Sequence, residues 1–151
     1  MWYAHAESWS FVIRRYLPRL ALLSLAWEIA QLPLYTLWAD PRPEWIAFAV
    51  VHCTAGDAMI GTAALFAALI LSRAGHPANW PGTKIFVWMV FLALAYTLAS
   101  ERINLIQGNW AYSDWMPVLP WVEVGLAPLL QWIVVPLTAW RWANRPRRSL
   151  P

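Results

Sequence analysis

Four apolar runs, at about residues 17–38, 45–71, 85–106 and 120–140, take up most of a 151-residue chain and decide what it can fold into. Each is long enough to cross the hydrocarbon core of a bilayer, which takes about 20 apolar residues in a helix. Too little remains for a separate soluble domain, so residues 1–151 read as a single membrane domain. Composition agrees: 60% of the residues are hydrophobic, only 13% are charged, and 13 are Trp. A soluble domain carries about a quarter charged residues, and a disordered chain is far less apolar than this one. The expected fold is all-α, an integral membrane bundle of four transmembrane helices.

The connections are short. Residues 39–44, Ala-Asp-Pro-Arg-Pro-Glu, and the stretch 72–84 with Gly75, His76, Pro77, Pro81 and Gly82 read as tight loops between antiparallel helices. Arg14, Arg15, Arg19, Arg73, Lys84, Arg141, Arg145, Arg147 and Arg148 then fall on one side, and only Arg42 and Arg102 on the other. By the positive-inside rule both termini are expected in the cytoplasm, with the protein in a membrane of the bacterial inner-membrane type. Trp38, Trp45, Trp110, Trp115 and Trp121 would mark the outer interface, and Trp80, Trp140 and Trp142 the inner one. Residues 1–16 are expected to lie along the inner interface as an amphipathic segment, and 141–151 to form a basic tail. Arg14-Arg15 ahead of the apolar stretch 20–26 has the look of a secretory signal, but the first span is expected to be retained.

A single cysteine, Cys53, forbids an internal disulfide and thiol-pair redox chemistry. Because orientation in the membrane explains the basic residues, no nucleic-acid partner is expected. The expected partners are membrane lipids and a hydrophobic small-molecule ligand. Gly56 and Gly61 among the alanines of the second span offer a close-packing surface, which leaves open whether the chain is a monomer or a homo-oligomer.

Polar side chains inside the spans are costly and ask for a partner or a purpose. The first run carries Glu28, Gln31 and Tyr35 on one face, and the second carries His52 and Asp57 on different faces, with Cys53 sharing the Asp57 face. Thr97, Glu101 and Asn104 share a stripe of the third, with Tyr96 and Ser100 beside it, and Glu123, Ala127 and Gln131 recur at intervals of four on the fourth. At about 1.5 Å per residue, Gln31 and His52 lie about 10 Å deep, Glu28 about 15 Å and Asp57 about 18 Å from the outer ends, with Glu101 and Glu123 near the surface. All fall in the outer half, whereas residues 63–71 and 85–94 are almost wholly apolar. The distribution predicts a solid core on the cytoplasmic side and a polar pocket open toward the outer leaflet or the outside. Pro33, Pro128 and Pro136, read as lying inside helices, would free the carbonyls of Ile29, Val124 and Trp132. Residues 107–117, with Trp110, Tyr112 and Trp115, form either a lid over the pocket or a plain interfacial anchor. Arg102 is expected to neutralise an adjacent acid such as Glu101. Glu28, His52, Asp57 and Glu101 are a carboxylate-rich set, but no Glu-x-x-His, His-x-x-x-His or Cys-x-x-Cys spacing occurs. No metal or other cofactor is therefore expected.

Trp27-Glu28-Ile-Ala-Gln31-Leu-Pro33-Leu, followed by His52-Cys-Thr, resembles the Glu-x-x-x-Gln-Leu-Pro and downstream His-Thr pattern of the EXPERA membrane proteins, the family of the emopamil-binding sterol isomerase. The resemblance implies four or five helices around a sterol-sized cavity, where acidic groups move a proton and a tryptophan faces a carbocation. Glu28 and Gln31 are three apart here rather than four, and a preceding helix of that family is missing. Glu28-x-x-Gln31 with Asp57-x-x-x-Gly61 also resembles the signature of VanZ-like membrane proteins, with a longer separation between the two elements.

The functional expectation is a membrane-embedded acid–base enzyme, an isomerase or cyclase acting on an isoprenoid-, sterol- or carotenoid-like lipid by isomerisation, cyclisation or hydration. Glu28, His52, Asp57 and Glu101 are the candidate catalytic residues, with Glu28 as proton donor and His52 or Asp57 tuning or reloading it. Trp27, Gln31, Tyr35, Tyr96, Asn104, Trp110, Tyr112 and Trp115 are the candidate substrate-binding residues, the tryptophans facing developing positive charge. The alternatives are a non-catalytic lipid or small-ligand binding protein and an accessory subunit of a membrane complex. Acids in the spans can also do no more than join helices, at about 0.6 kcal/mol per hydrogen bond.

Overall fold

Helix formation starts almost at once. A 3-10 turn at Trp2–Ala4 leads into α1 (Ala6–Phe11), which runs through a π-helical turn at Val12–Tyr16 into α2 (Leu17–Gln31). The structure, a computed structural model, describes residues 1–145. Arg147, Arg148 and the end of the basic tail lie outside the described residues.

α2 stops at Gln31 because Pro33 follows, and a proline has no N–H to extend the ladder. The chain tightens into 3-10 turns at Leu32–Leu34 and Thr36–Ala39, so Pro33 lies beyond the first helix rather than inside it. At Asp40 the chain bends back, and the Arg42 side chain and backbone N–H both bond to Asp40, holding its carboxyl down to about 2. α3 (Pro43–Leu71) begins on a proline, whose missing N–H is one of those a helix leaves unpaired in any case. α4 (Gly82–Gln107) ends at Gly108, which takes φ 71° while Asn109 N–H reaches back 3.0 Å to the Asn104 carbonyl.

The fourth apolar run does not begin as a helix. Pro117 and Pro120 punctuate it, and Val118–Leu119 (β1) pairs with Val124–Gly125 (β2) as an antiparallel hairpin, Leu119 opposite Val124. Glu123 occupies the turn with φ 53°, so it is not on one helical stripe with Ala127 and Gln131. α5 (Leu126–Ala143) follows. Pro128 falls in its first turn, where N–H groups lack intrahelical partners, and so frees no carbonyl; Pro136 is inside the helix as expected.

The chain is predominantly helical, and α3 and α4, of 29 and 26 residues, are long and apolar enough to cross a membrane. α2, α3, α4 and α5 each pack against the next, with α5 returning onto α2. The core is concentrated at the end of the bundle that carries the start of α2 and the end of α5. There Tyr16, Leu20, Leu65, Leu69, Ile85 and Met89 are fully buried, and Tyr16 Oη donates to Met89 Sδ at 3.2 Å. Trp2 stacks on Phe66 with ring centroids 4.9 Å apart, and Phe11 meets Trp80 and Trp140 edge-on. The segment 1–16 contributes Trp2, Phe11, Val12 and Tyr16 to the core. Gly61 permits the close approach of α2 and α3: a Cβ there would stand 2.7 Å from Leu20 Cδ2. No residue of α3 before Gly61 is buried, and this half of the helix borders open space.

Candidate functional site

The open half of the bundle holds a cavity of about 1010 Å³ between α3, α4, the end of α2 and the start of α5. Its far end is roofed by two irregular segments that the main chain ties together. Tyr35 and Tyr112 form an isolated antiparallel bridge, in which Thr36 N–H donates to the Ala111 carbonyl and Ser113 N–H to the Leu34 carbonyl, each at 3.0 Å. Ser113 Oγ donates to the Pro33 carbonyl at 2.9 Å. The carbonyls released where α2 stops thereby find donors in the loop after α4, of which Gly108, Asn109, Trp110 and Ala111 line the cavity.

Two acidic centres line the cavity. In the first, Glu28 of α2 and Asp57 of α3 bring their carboxyls to the same amide nitrogen. Gln131 of α5 spans the pair, its Nε2 donating to Asp57 Oδ2 at 2.5 Å and to Glu28 Oε1 at 3.4 Å. Gln31 Nε2 donates to the same Glu28 oxygen at 2.8 Å, and Trp27 Nε1 holds Gln31 Oε1 at 3.1 Å. Three helices thus converge on one carboxyl pair, and the Trp27 bond to its oxygen turns the Gln31 amide nitrogen toward Glu28.

The second centre is Glu101 of α4, only 7% exposed. Tyr112 Oη donates to it and accepts the Gly125 N–H at 2.9 Å, which links the lid loop, α4 and the hairpin. Burial and the bond to Glu101 hold the Tyr112 phenol above its ordinary range, so it remains a donor. The buried Trp110 indole N–H has no hydrogen-bond partner among the described residues. Tyr35 stands between the two centres, its ring 5.4 Å from that of Tyr112.

The remaining candidates are divided. Gln31, Tyr35, Tyr96, Asn104 and Trp110 line the cavity, as does His52. His52 is exposed and stacks on Phe48, with centroids 5.5 Å apart, away from the hydrogen bonds that join the acids. Asn104 donates to the Ser100 carbonyl at 2.8 Å and accepts from Asn109 at 2.7 Å, which ties off the end of α4. Trp27 acts through Gln31 and is not part of the lining, and Trp115 is 82% exposed and outside the cavity. Arg102 pairs with Glu123 at 2.5 Å on the outer surface instead of neutralising Glu101. Among the described residues no three of His, Cys, Asp and Glu converge as a metal-binding group.

Gln131 and Trp132 are cavity residues absent from the candidate set. The signal for Gln131 was its place among the polar residues of the fourth run, obscured by treating Glu123 as part of the same helix. Set beside known proteins, the chain matches no family model, no curated protein and no solved structure.

Proposed function

We propose that this chain is a membrane-embedded acid–base enzyme acting on a hydrophobic isoprenoid-, sterol- or carotenoid-like lipid. In this reading all four long apolar elements lie within a bilayer of the bacterial inner-membrane type, with the termini in the cytoplasm. The observation that carries the reading is the Glu28–Asp57 carboxyl pair, bridged by Gln131 on the wall of a large cavity. Two carboxyls so close hold one proton between them, because two adjacent negative charges in a poorly solvated site repel.

Transfer of that proton to an olefinic carbon breaks an O–H bond, forms a C–H bond, and leaves a carbocation opposite a carboxylate pair. Loss of a proton from a neighbouring carbon, back to the pair or to Glu101, completes an isomerisation. Capture of the cation by an internal double bond followed by proton loss is a cyclisation, and capture by water followed by proton loss is a hydration. Trp110, Trp132 and Tyr35 on the walls supply π faces for the cation. A hydrophobic cavity with a few convergent polar groups also suits simple lipid binding. What favours chemistry is the second acid centre on the same cavity, since plain binding of an apolar ligand needs neither.

The test is mass spectrometry of the organic extract of purified wild-type protein and of Glu28→Gln, each expressed in a host that makes diverse isoprenoids. A defined lipid in both, differing in isomer, ring or hydration state, is the expected result. The same unaltered lipid in both, or bulk phospholipid alone, would reduce the site to binding or structure.

A further inference from the structure

Met89 and Tyr96 are seven residues apart on α4, within about 20° of the same direction round the helix. Met89 is 0% exposed and Tyr96 is 54% exposed. One stripe of α4 is therefore covered at the packed end and uncovered half-way along. On α3, Phe48 is 55% exposed, and it stacks between Trp45 and His52. Tyr96, Trp45, Phe48 and His52 all line the cavity, so its wall along α3 and α4 is partly exposed. The roof, by contrast, is tied by the Tyr35–Tyr112 bridge and by Ser113.

We propose that the cavity is reached sideways, through a portal between α3 and α4 rimmed by Phe48, His52, Gly56 and Tyr96, by a ligand dissolved in the acyl-chain region of the bilayer. The inference rests on the membrane reading above and goes further, because it assigns the ligand class by route: a molecule that never leaves the lipid phase. The rim suits that traffic. Its aromatic faces present apolar surface to a passing chain, and Gly56 leaves the passage clear, since a Cβ there would meet nothing within 4 Å.

The chain carries its own reporter. Cys53, the single cysteine, lines the cavity one turn from Gly56 and beside His52. The full chain would be reconstituted in phosphatidylcholine vesicles, floated on a density gradient, and treated with N-phenylmaleimide or with a charged trimethylammonium methanethiosulfonate. The maleimide is expected to label Cys53 at least tenfold faster relative to each reagent's rate on the detergent-unfolded protein, and Gly56→Phe to slow that labelling at least tenfold. Should Gly56→Phe fail to fold, Tyr96→Ala carries the test: faster maleimide labelling supports the portal and an unchanged rate overturns it. Protein that floats but reacts first with the charged reagent, or a folded Gly56→Phe with unchanged labelling, overturns the portal alone. Protein that does not float overturns the membrane reading and the portal together.

Discussion

At the residue scale the site depends on two amides that donate to the acids. Gln131 touches both carboxyls of the Glu28–Asp57 pair, and Gln31 is held by Trp27. Gln131→Leu keeps the volume but strips both acids of a donor. It is expected to cost about 1–3 kcal/mol, the penalty for buried polar groups left unpaired, read as a lowered thermal midpoint. Tyr112 contributes a pH dependence. Its phenol is raised above the ordinary tyrosine value of about 10, mainly by burial. The folded state therefore keeps this proton where the unfolded chain has released it. The stabilisation is complete below the unfolded value and is lost as pH rises through the folded one. In an alkaline titration of thermal midpoint, wild type is expected to fall more steeply above that point than Tyr112→Phe; parallel curves would refute it. The Glu28 to Gln31 spacing was legible in the sequence because both residues lie on one helix. The Tyr112 to Glu101 contact was not, because it depends on how an irregular loop folds back over eleven positions.

At the scale of elements, helix existence was plain from the apolar runs and helix ends were not. Pro33 and the 120–125 segment were both absorbed into spans, since an apolar run contains no mark that separates a helix from a short strand or a 3-10 turn. The error at Glu123 followed directly, and with it the wrong partner for Arg102. The two glycines of α3 make a paired experiment. A Cβ at Gly61 meets Leu20 at 2.7 Å and Trp132 at 3.3 Å, whereas one at Gly56 meets nothing within 4 Å. Gly61→Val is expected to destabilise by about 1–3 kcal/mol through overpacking between α2 and α3. Gly56→Ala is expected to stabilise modestly, by about 0.5–1 kcal/mol, because alanine is the better helix former. Equal midpoints for the two variants would mean that α2 and α3 are not in close contact at Gly61.

On the scale of the whole molecule, the division into a filled end and a hollow end was readable from where polar residues cease along each run. What could not be read were the partners of the aromatics in the first sixteen residues, which lie as far along the chain as Trp140. Stability should be distributed accordingly. Leu65→Ala, at a fully buried position, is expected to cost about 2–5 kcal/mol, and Phe48→Ala, at the cavity rim, about 0.5 kcal/mol or less. A comparable loss at both sites would show that the hollow half also carries the fold. The roof over that hollow half has a different implication. It is joined largely through backbone atoms, with the Ser113 and Thr36 hydroxyls as side-chain clasps and the Tyr112 phenol fixed between Glu101 and Gly125, so the closure is nearly independent of which residues occupy 110 and 111. Descendants of this sequence can exchange the lid's cavity-facing side chains, Trp110 first among them, and so change what fits beneath it while the fastening is inherited unaltered.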